Sequence, residues 1–395
     1  MATFRLKRFS RPDTLKAISP DFLSQFLAPY HEYLQSRGVG LPLSYDTDST
    51  FDLLTQVFLS PDAQTPRELV DSLYLVDEMS GNEEMDSLMG EAKTFGVSLT
   101  FESCTPIDIA IQIWLAAPDI IAKKHAERFL CRARSFESYQ LEPTLMKEWH
   151  PLSQDQLNHL TEDLDRWFEH KNRGRGTRIF LSEHQEAVWF LVRHGEPFKR
   201  EESLDGRETT SVCYRPLKYD AVVYEAHKGE LRINARSKGE KQLYRTVFAK
   251  YLFGDETLFS GQDKYCLSPL REQGEAALVC TDIPGLEQIR LKELQLFHGG
   301  SSWELETRKS DDLFALYRKK GRPFPTTGQL VKATFKVYFS DSPTPRSVVI
   351  KPGNVAQYMR DEDCDRIEQW LKARGFISSG LVPEEVCDER LLAST

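Results

Sequence analysis

The sequence predicts an α+β protein, with an N-terminal helical bundle followed by a hairpin-rich mixed β-sheet half with flanking helices. Three observations predict it. Up to about residue 170, apolar residues recur at the 3.6-residue spacing of helices. Beyond residue 177 they alternate, or run continuously over short stretches, as strands require. Between the two patterns lies Lys171-Asn172-Arg173-Gly174-Arg175-Gly176, a basic link with two glycines. The expected domains are therefore residues 1–172, helical, and residues 177–395, α+β, with a further division expected near 255–275.

The helices follow from caps and stripes. Ser19-Pro20 opens one whose Phe22, Leu23, Phe26, Leu27, Tyr30, Tyr33 and Leu34 form a single face. Thr65-Pro66-Arg67-Glu68 reads as a capping box ahead of Leu69, Val70, Leu73 and Val76, and Thr105-Pro106-Ile107-Asp108 opens another helix that Pro118 should end or kink. Ser153 caps a helix carrying Leu157, Leu160, Leu164, Trp167 and Phe168. A short strand is expected at 97–101. In the second half, strands are expected at 178–181, 187–192, 210–214, 221–224, 231–235, 276–280, 289–297, 331–339 and 347–350. Helices should interrupt them at 238–253 and 362–374, the latter stopped by Gly375.

Composition excludes several classes. Hydrophobic residues make up 40% and charged residues 28%, values of an ordered globular chain. The best apolar run, 107–117, falls short of a membrane span and contains Asp108 and Gln112. The basic start, Met1 to Arg11, lacks the apolar core of a signal peptide, so a cytoplasmic location with no membrane contact is expected. Seven scattered cysteines, an odd number, argue against a disulfide framework and structural zinc. Net charge is −9 but uneven: residues 1–165 sum to −12, residues 166–250 to +6 and the remainder to −3. A locally basic middle inside an acidic protein suits a localised anionic partner rather than general coating of nucleic acid.

Leu191-Val192-Arg193-His194-Gly195-Glu196 is the sharpest chemical signal. It resembles the strand end and phosphate-binding turn of histidine phosphatases. The resemblance implies that His194 attacks phosphorus while Arg193 holds the phosphoryl oxygens. Phe297-His298-Gly299-Gly300 resembles the family's second turn, which makes His298 the other candidate. The strands expected after Gly195 depart from the family pattern, which has a helix there, and the family's arginine-bearing helix and acidic proton donor have no recognisable counterpart.

Asp220 on one expected strand, followed by Asn234 and Arg236 on the next, resembles the central hairpin of restriction-endonuclease-like nucleases. Asn234 and Arg236 stand where the family has glutamate and lysine. Asparagine lacks the charge that holds Mg²⁺, so Asp220 is a weak metal candidate in a degenerate site. No zinc-binding histidine pair, Walker loop, dinucleotide fingerprint or nucleophile elbow is present, and no cofactor is expected. The acidic segment 77–86 reads as solvated surface.

Arg232, Arg236, Lys238, Lys241 and Arg245, with Arg173, Arg175 and Arg178 on the link, are the candidate nucleic-acid contacts, since arginine holds phosphate oxygens through paired hydrogen bonds. The function expected is a noncatalytic accessory or interaction protein with a protein partner, its basic middle contacting nucleic acid, in a host-defence or mobile-element setting. The alternatives are a phosphohydrolase built on Arg193-His194-Gly195 and a nuclease-like domain around Asp220. The oligomeric state is not readable from the sequence.

Overall fold

The computed structural model describes residues 6–43, 48–62, 64–101, 104–132, 135–141, 150–184, 187–205, 208–259, 263–299, 303–358 and 364–377. Gly300, residues 1–5 of the basic start and residues 362–363 of the last expected helix lie outside them. The chain forms two compact units, residues 1–129 and 130–395.

The first unit is helical: α1 (Pro12–Lys16), α2 (Pro20–Leu27), α3 (His31–Ser36), α4 (Asp48–Leu59), α5 (Arg67–Met79), α6 (Asn82–Thr94), α7 (Pro106–Ala116) and α8 (Pro118–Arg132). Pro118 separates α7 from α8 as expected. The single helix expected over 22–34 is two, because a 3₁₀ turn at Ala28–Tyr30, built around Pro29, interrupts it. Thr105 caps α7 with the reciprocal box, whereas Thr65 does not cap α5: its hydroxyl bonds Tyr33 and the Asp62 amide instead. Residues 97–101 form no strand; Gln112 supplies Thr100 with both hydrogen bonds a ladder would give. Asp77, expected at the surface, is buried and accepts from the amides of Lys7, Arg8 and Phe9.

The second unit contains β1 (Ser135–Gln140), α9 (Gln154–His170), β2 (Arg178–His184), β3 (Ala187–Gly195), β4 (Lys199–Asp205), β5 (Glu208–Tyr214), β6 (Leu217–Glu225), β7 (Glu230–Asn234), α10 (Lys238–Phe253), α11 (Pro269–Glu272), β8 (Leu286–Phe297), β9 (Leu305–Lys309), α12 (Leu313–Lys320), β10 (Gln329–Phe339), β11 (Ser342–Lys351), β12 (Val355–Gln357) and α13 (Cys364–Ala373). Ten strands make one antiparallel sheet in the order β2-β3-β6-β7-β1-β12-β11-β10-β8-β9, and β4 and β5 pair separately as a two-stranded ribbon. The strand expected at 276–280 is instead a 3₁₀ turn, Gly274–Leu278; Ala277, Leu278 and Cys280 reach the core while Val279 is exposed.

Helix α9 belongs to this unit, although it was expected in the first domain. Its Leu160, Leu164 and Phe168 share a core with Val188, Phe190 and Val192 of β3, Val222 and Tyr224 of β6, and Tyr244 and Phe248 of α10. Each such side chain contributes about 1.5–3 kcal/mol on burial, which holds α9 to the sheet far more firmly than the basic link that follows it could. A second core joins β8, β10 and β11 to α12 and α13 through Leu291, Phe335, Val348, Leu313, Trp370 and Leu371. No helix among the described residues is long and apolar enough to cross a membrane.

Candidate functional site

His194 and Asp220, which the sequence offered to two unrelated chemistries, are partners in one buried hydrogen bond. Period-two alternation places His194 in line with Val188, Phe190 and Val192 on β3, and Asp220 in line with Val222 and Tyr224 on β6, so both face the helices. His194 Nε2 lies 2.9 Å from Asp220 Oδ2. His194 is 0% exposed and Asp220 is 1% exposed.

Four elements close around this pair. Helix α9 ends in a Schellman turn: Asn172, in the left-handed region at φ 57°, lets Arg173 N–H reach the Phe168 carbonyl at 2.8 Å and its own N–H reach Glu169 at 2.9 Å. The Phe168 ring is thereby stacked on the His194 imidazole, centroids 4.0 Å apart, and the Arg173 guanidinium lies over Phe168. Helix α10 opens with a capping box in which Ser237 N–H donates to Glu240 Oε2 at 2.6 Å and Glu240 N–H donates to Ser237 Oγ. The other oxygen of Glu240 accepts from Lys218 Nζ at 3.0 Å and from Arg173. Lys218 also holds Asp220 Oδ1 at 2.9 Å, and one turn beyond Glu240 the Tyr244 hydroxyl donates to Asp220 Oδ2 at 2.9 Å.

Two carboxylates thus meet two cations. Burial would raise the Glu240 carboxyl, but Arg173, the Ser237 amide and Lys218 outweigh it and hold it down at about 2. Burial and the neighbouring Asp220 charge push the Tyr244 phenol well above its ordinary value, keeping it a donor. His194 Nδ1 lies 2.9 Å from the Gly195 carbonyl, so both ring nitrogens face acceptors. Gly195 is required by a close approach: a Cβ there would stand 2.4 Å from the Arg173 carbonyl oxygen and 2.7 Å from Arg215 Cδ. Its place in the sequence, which matched a phosphate-binding turn, has a packing cause.

Ligand atoms of His194, Asp220 and Glu240 lie within 4.8 Å of one another, the donor set of a metal centre. The Lys218 ammonium, about 3 Å from both carboxylates, stands where a cation would bridge them. The residues therefore fit a metal only with Lys218 displaced. As built, the cluster joins β3, β6, α9 and α10 at one end of the sheet.

The partners required by the two enzyme readings are elsewhere. Arg193, adjacent to His194 on a strand, points to the opposite face and lies over Phe180. His298 follows β8, seven strand intervals from β3 across the sheet, roughly 33 Å at ordinary strand spacing; its Nε2 faces Glu306 at 3.2 Å. Asn234 pairs with Ala221, on the face opposite Asp220, and its amide donates to the Ser135 carbonyl. The nuclease-like acid and asparagine do not converge.

The basic candidates are largely engaged internally. Besides Arg173, Arg232 is buried and pairs with Glu225 at 3.0 Å, Lys241 pairs with Glu137 at 2.7 Å, and Arg175 pairs with Glu169 at 2.9 Å. Arg245 bonds Gln242 and lies over Tyr139. Arg178, Arg236 and Lys238 remain exposed. Part of the positive sum of residues 166–250 thus balances acids outside that segment: Lys241 pairs with Glu137, Lys250 with Asp163 and Lys228 with Glu368.

Lys218 and Glu240 were not singled out from the sequence, and Phe168 entered it only as part of an apolar helical stripe. The signal for Glu240 was present: Ser237-Lys238-Gly239-Glu240 is a capping-box sequence ahead of an apolar stripe. No protein-family model matches the chain, and no curated protein sequence matches it.

Proposed function

We propose that this chain is a cytoplasmic, noncatalytic interaction protein that associates with a second copy of itself through the β4–β5 ribbon. The observation that carries this reading is the exposure of the ribbon. Every residue of β5 is exposed, Leu204 is 75% exposed and Phe198, at its base, 68%. Among the described residues each ribbon strand pairs only with the other, so each has an open edge, the feature that favours pairing with a further strand.

The sequence of β4 favours its own copy. Lys199-Arg200-Glu201-Glu202 is self-complementary when two strands run antiparallel about the midpoint between Arg200 and Glu201. Lys199 then opposes Glu202 and Arg200 opposes Glu201, twice over. Such cross-strand pairs contribute about 0.2–1 kcal/mol each, and coverage of Phe198 and Leu204 adds to them. The noncatalytic part rests on the closure of the His194–Asp220 cluster, whose polar groups are bonded to one another. The cytoplasmic part rests on the free state of Cys104, Cys213, Cys266, Cys280 and Cys364.

Sedimentation analysis over a range of concentrations tests the reading. Dimers are expected for the native chain and monomers for both Lys199→Glu/Arg200→Glu and Glu201→Lys/Glu202→Lys. Mixing the two variants should restore a heterodimer. A native chain that stays monomeric, or variants that dimerise as the native chain does, overturns the proposal.

A further inference from the structure

We infer that the cleft between β9, α12 and the segment 322–327 binds a nucleoside phosphate. The cleft has a volume of about 510 Å³, within the range of small-molecule sites. Its walls divide by chemistry. Leu313, Leu316, Tyr317 and Phe324 form an apolar side, and Arg308, Lys309, Lys320 and Arg322 contribute four cations against the single carboxylate of Glu306.

That carboxylate is already engaged. It accepts from Arg308 at 2.7 and 3.2 Å and faces His298. Lys309 pairs with Glu293, but Lys320 and Arg322 are exposed and have no ion-pair partner among the described residues. Unlike the cations around Glu240, these two have no carboxylate beside them, so an incoming anion displaces water and no internal ion pair.

Local structure sets them on one rim. Helix α12 ends in a Schellman turn, with Arg322 N–H on the Tyr317 carbonyl at 2.9 Å and Gly321 N–H on Arg318 at 3.1 Å. Gly321 at φ 59° provides the left-handed step that returns the chain across the helix end. Both residues thereby line the same cleft. Pro323 and Pro325 restrict the backbone on either side of Phe324. The Phe324 ring is stacked on Phe314, centroids 5.2 Å apart and planes 16° apart, yet stays partly exposed to the cleft. A planar base can lie on this fixed apolar wall while its phosphates meet Lys320 and Arg322. Stacking and phosphate pairing are the two terms such ligands use.

The same chemistry is presented by a free nucleotide and by the 5′ end of a single-stranded nucleic acid. Calorimetric titration with ADP, with a 5′-phosphorylated single-stranded oligonucleotide and with inorganic pyrophosphate tests the site. ADP or the oligonucleotide should bind more tightly than pyrophosphate by tenfold or more. Lys320→Ala/Arg322→Ala should weaken binding at least tenfold while leaving the circular dichroism spectrum unchanged, and Phe324→Leu should weaken ADP more than pyrophosphate. ADP tighter than the oligonucleotide points to a free nucleotide, the reverse order to a nucleic-acid end, and either supports the assignment. Absence of binding by both, equal affinity for pyrophosphate, or indifference to the Lys320/Arg322 variant overturns it.

Discussion

At the β3–β6 end of the ten-stranded sheet, Arg173 and Lys218 meet Asp220 and Glu240 around His194 in a closed network. Toward the β8–β9 end, Arg308 pairs with Glu306 and Lys309 with Glu293 beside an open cleft, whereas Lys320 and Arg322 on its rim have no ion-pair partner among the described residues. The residue types are alike and the charge balance differs. A cation whose carboxylate lies beside it, out of water, holds the fold; one left exposed beside an apolar wall is available to a ligand. Burial amplifies the first case, because losing one member of a buried pair strands the other in a low dielectric. Solvent screens the second, so those cations add little stability.

The comparison breaks first at Asp220. Asp220→Ala removes the acceptor of His194, Tyr244 and Lys218 together, and should cost about 3–5 kcal/mol in urea unfolding. A loss below 1 kcal/mol would show that the cluster is not a structural joint.

Next comes Glu240, through pH. Its carboxyl is depressed in the folded chain to about 2, against about 4.3 unfolded. The unfolded state therefore binds its proton first on acidification. The contribution, at most about 3 kcal/mol, is present above the unfolded value and is lost as pH falls from about 4.3 through 2. Glu240→Gln should lower stability at neutral pH and flatten that acid limb, read by denaturant midpoints at successive pH values. An unchanged limb would move the acid sensitivity elsewhere.

Gly195→Ala follows. The added methyl meets the Arg173 carbonyl oxygen and Arg215, and overpacking of this kind costs about 1–3 kcal/mol. Thermal unfolding at neutral pH measures it; no change in midpoint would mean that the link 171–176 yields.

The smallest effect is expected at the other end of the sheet. Lys320→Ala/Arg322→Ala should alter stability by less than about 0.5 kcal/mol, as surface substitutions do. A loss comparable to that of Glu240→Gln would erase the contrast between the two regions.

Much of the fold was legible because local signals are strong where apolar periodicity is strong. The α7, α9 and α10 helices and strands β3, β6, β7, β8 and β10 announce themselves. Strands β1, β4 and β9 do not: Ser135-Phe-Glu-Ser-Tyr-Gln, Lys199-Arg-Glu-Glu-Ser-Leu-Asp and Leu305-Glu-Thr-Arg-Lys are too polar to register, and partners or solvent stabilise them rather than an apolar pattern. Within the site, the sequence puts His194 in a turn after the strand 187–192 and Asp220 at the start of a later strand; their shared core-facing side follows from the longer strands of the structure. That the strands are neighbours, with Val192 opposite Asp220, was not readable.

By itself, then, the sequence determined the α+β class and the caps at Thr105 and Ser153, because these depend on neighbours one to four residues away, whereas the core-facing sides of His194 and Asp220 came with the strand bounds of the structure. The tertiary structure alone decided that the two residues bond to each other, that Arg193 and His298 do not join them, and that Arg173 and Lys218 serve internal carboxylates while Lys320 and Arg322 do not. Those outcomes depend on which strands and helices meet, and a side chain's charge acquires a role only once its partner and its distance from water are fixed.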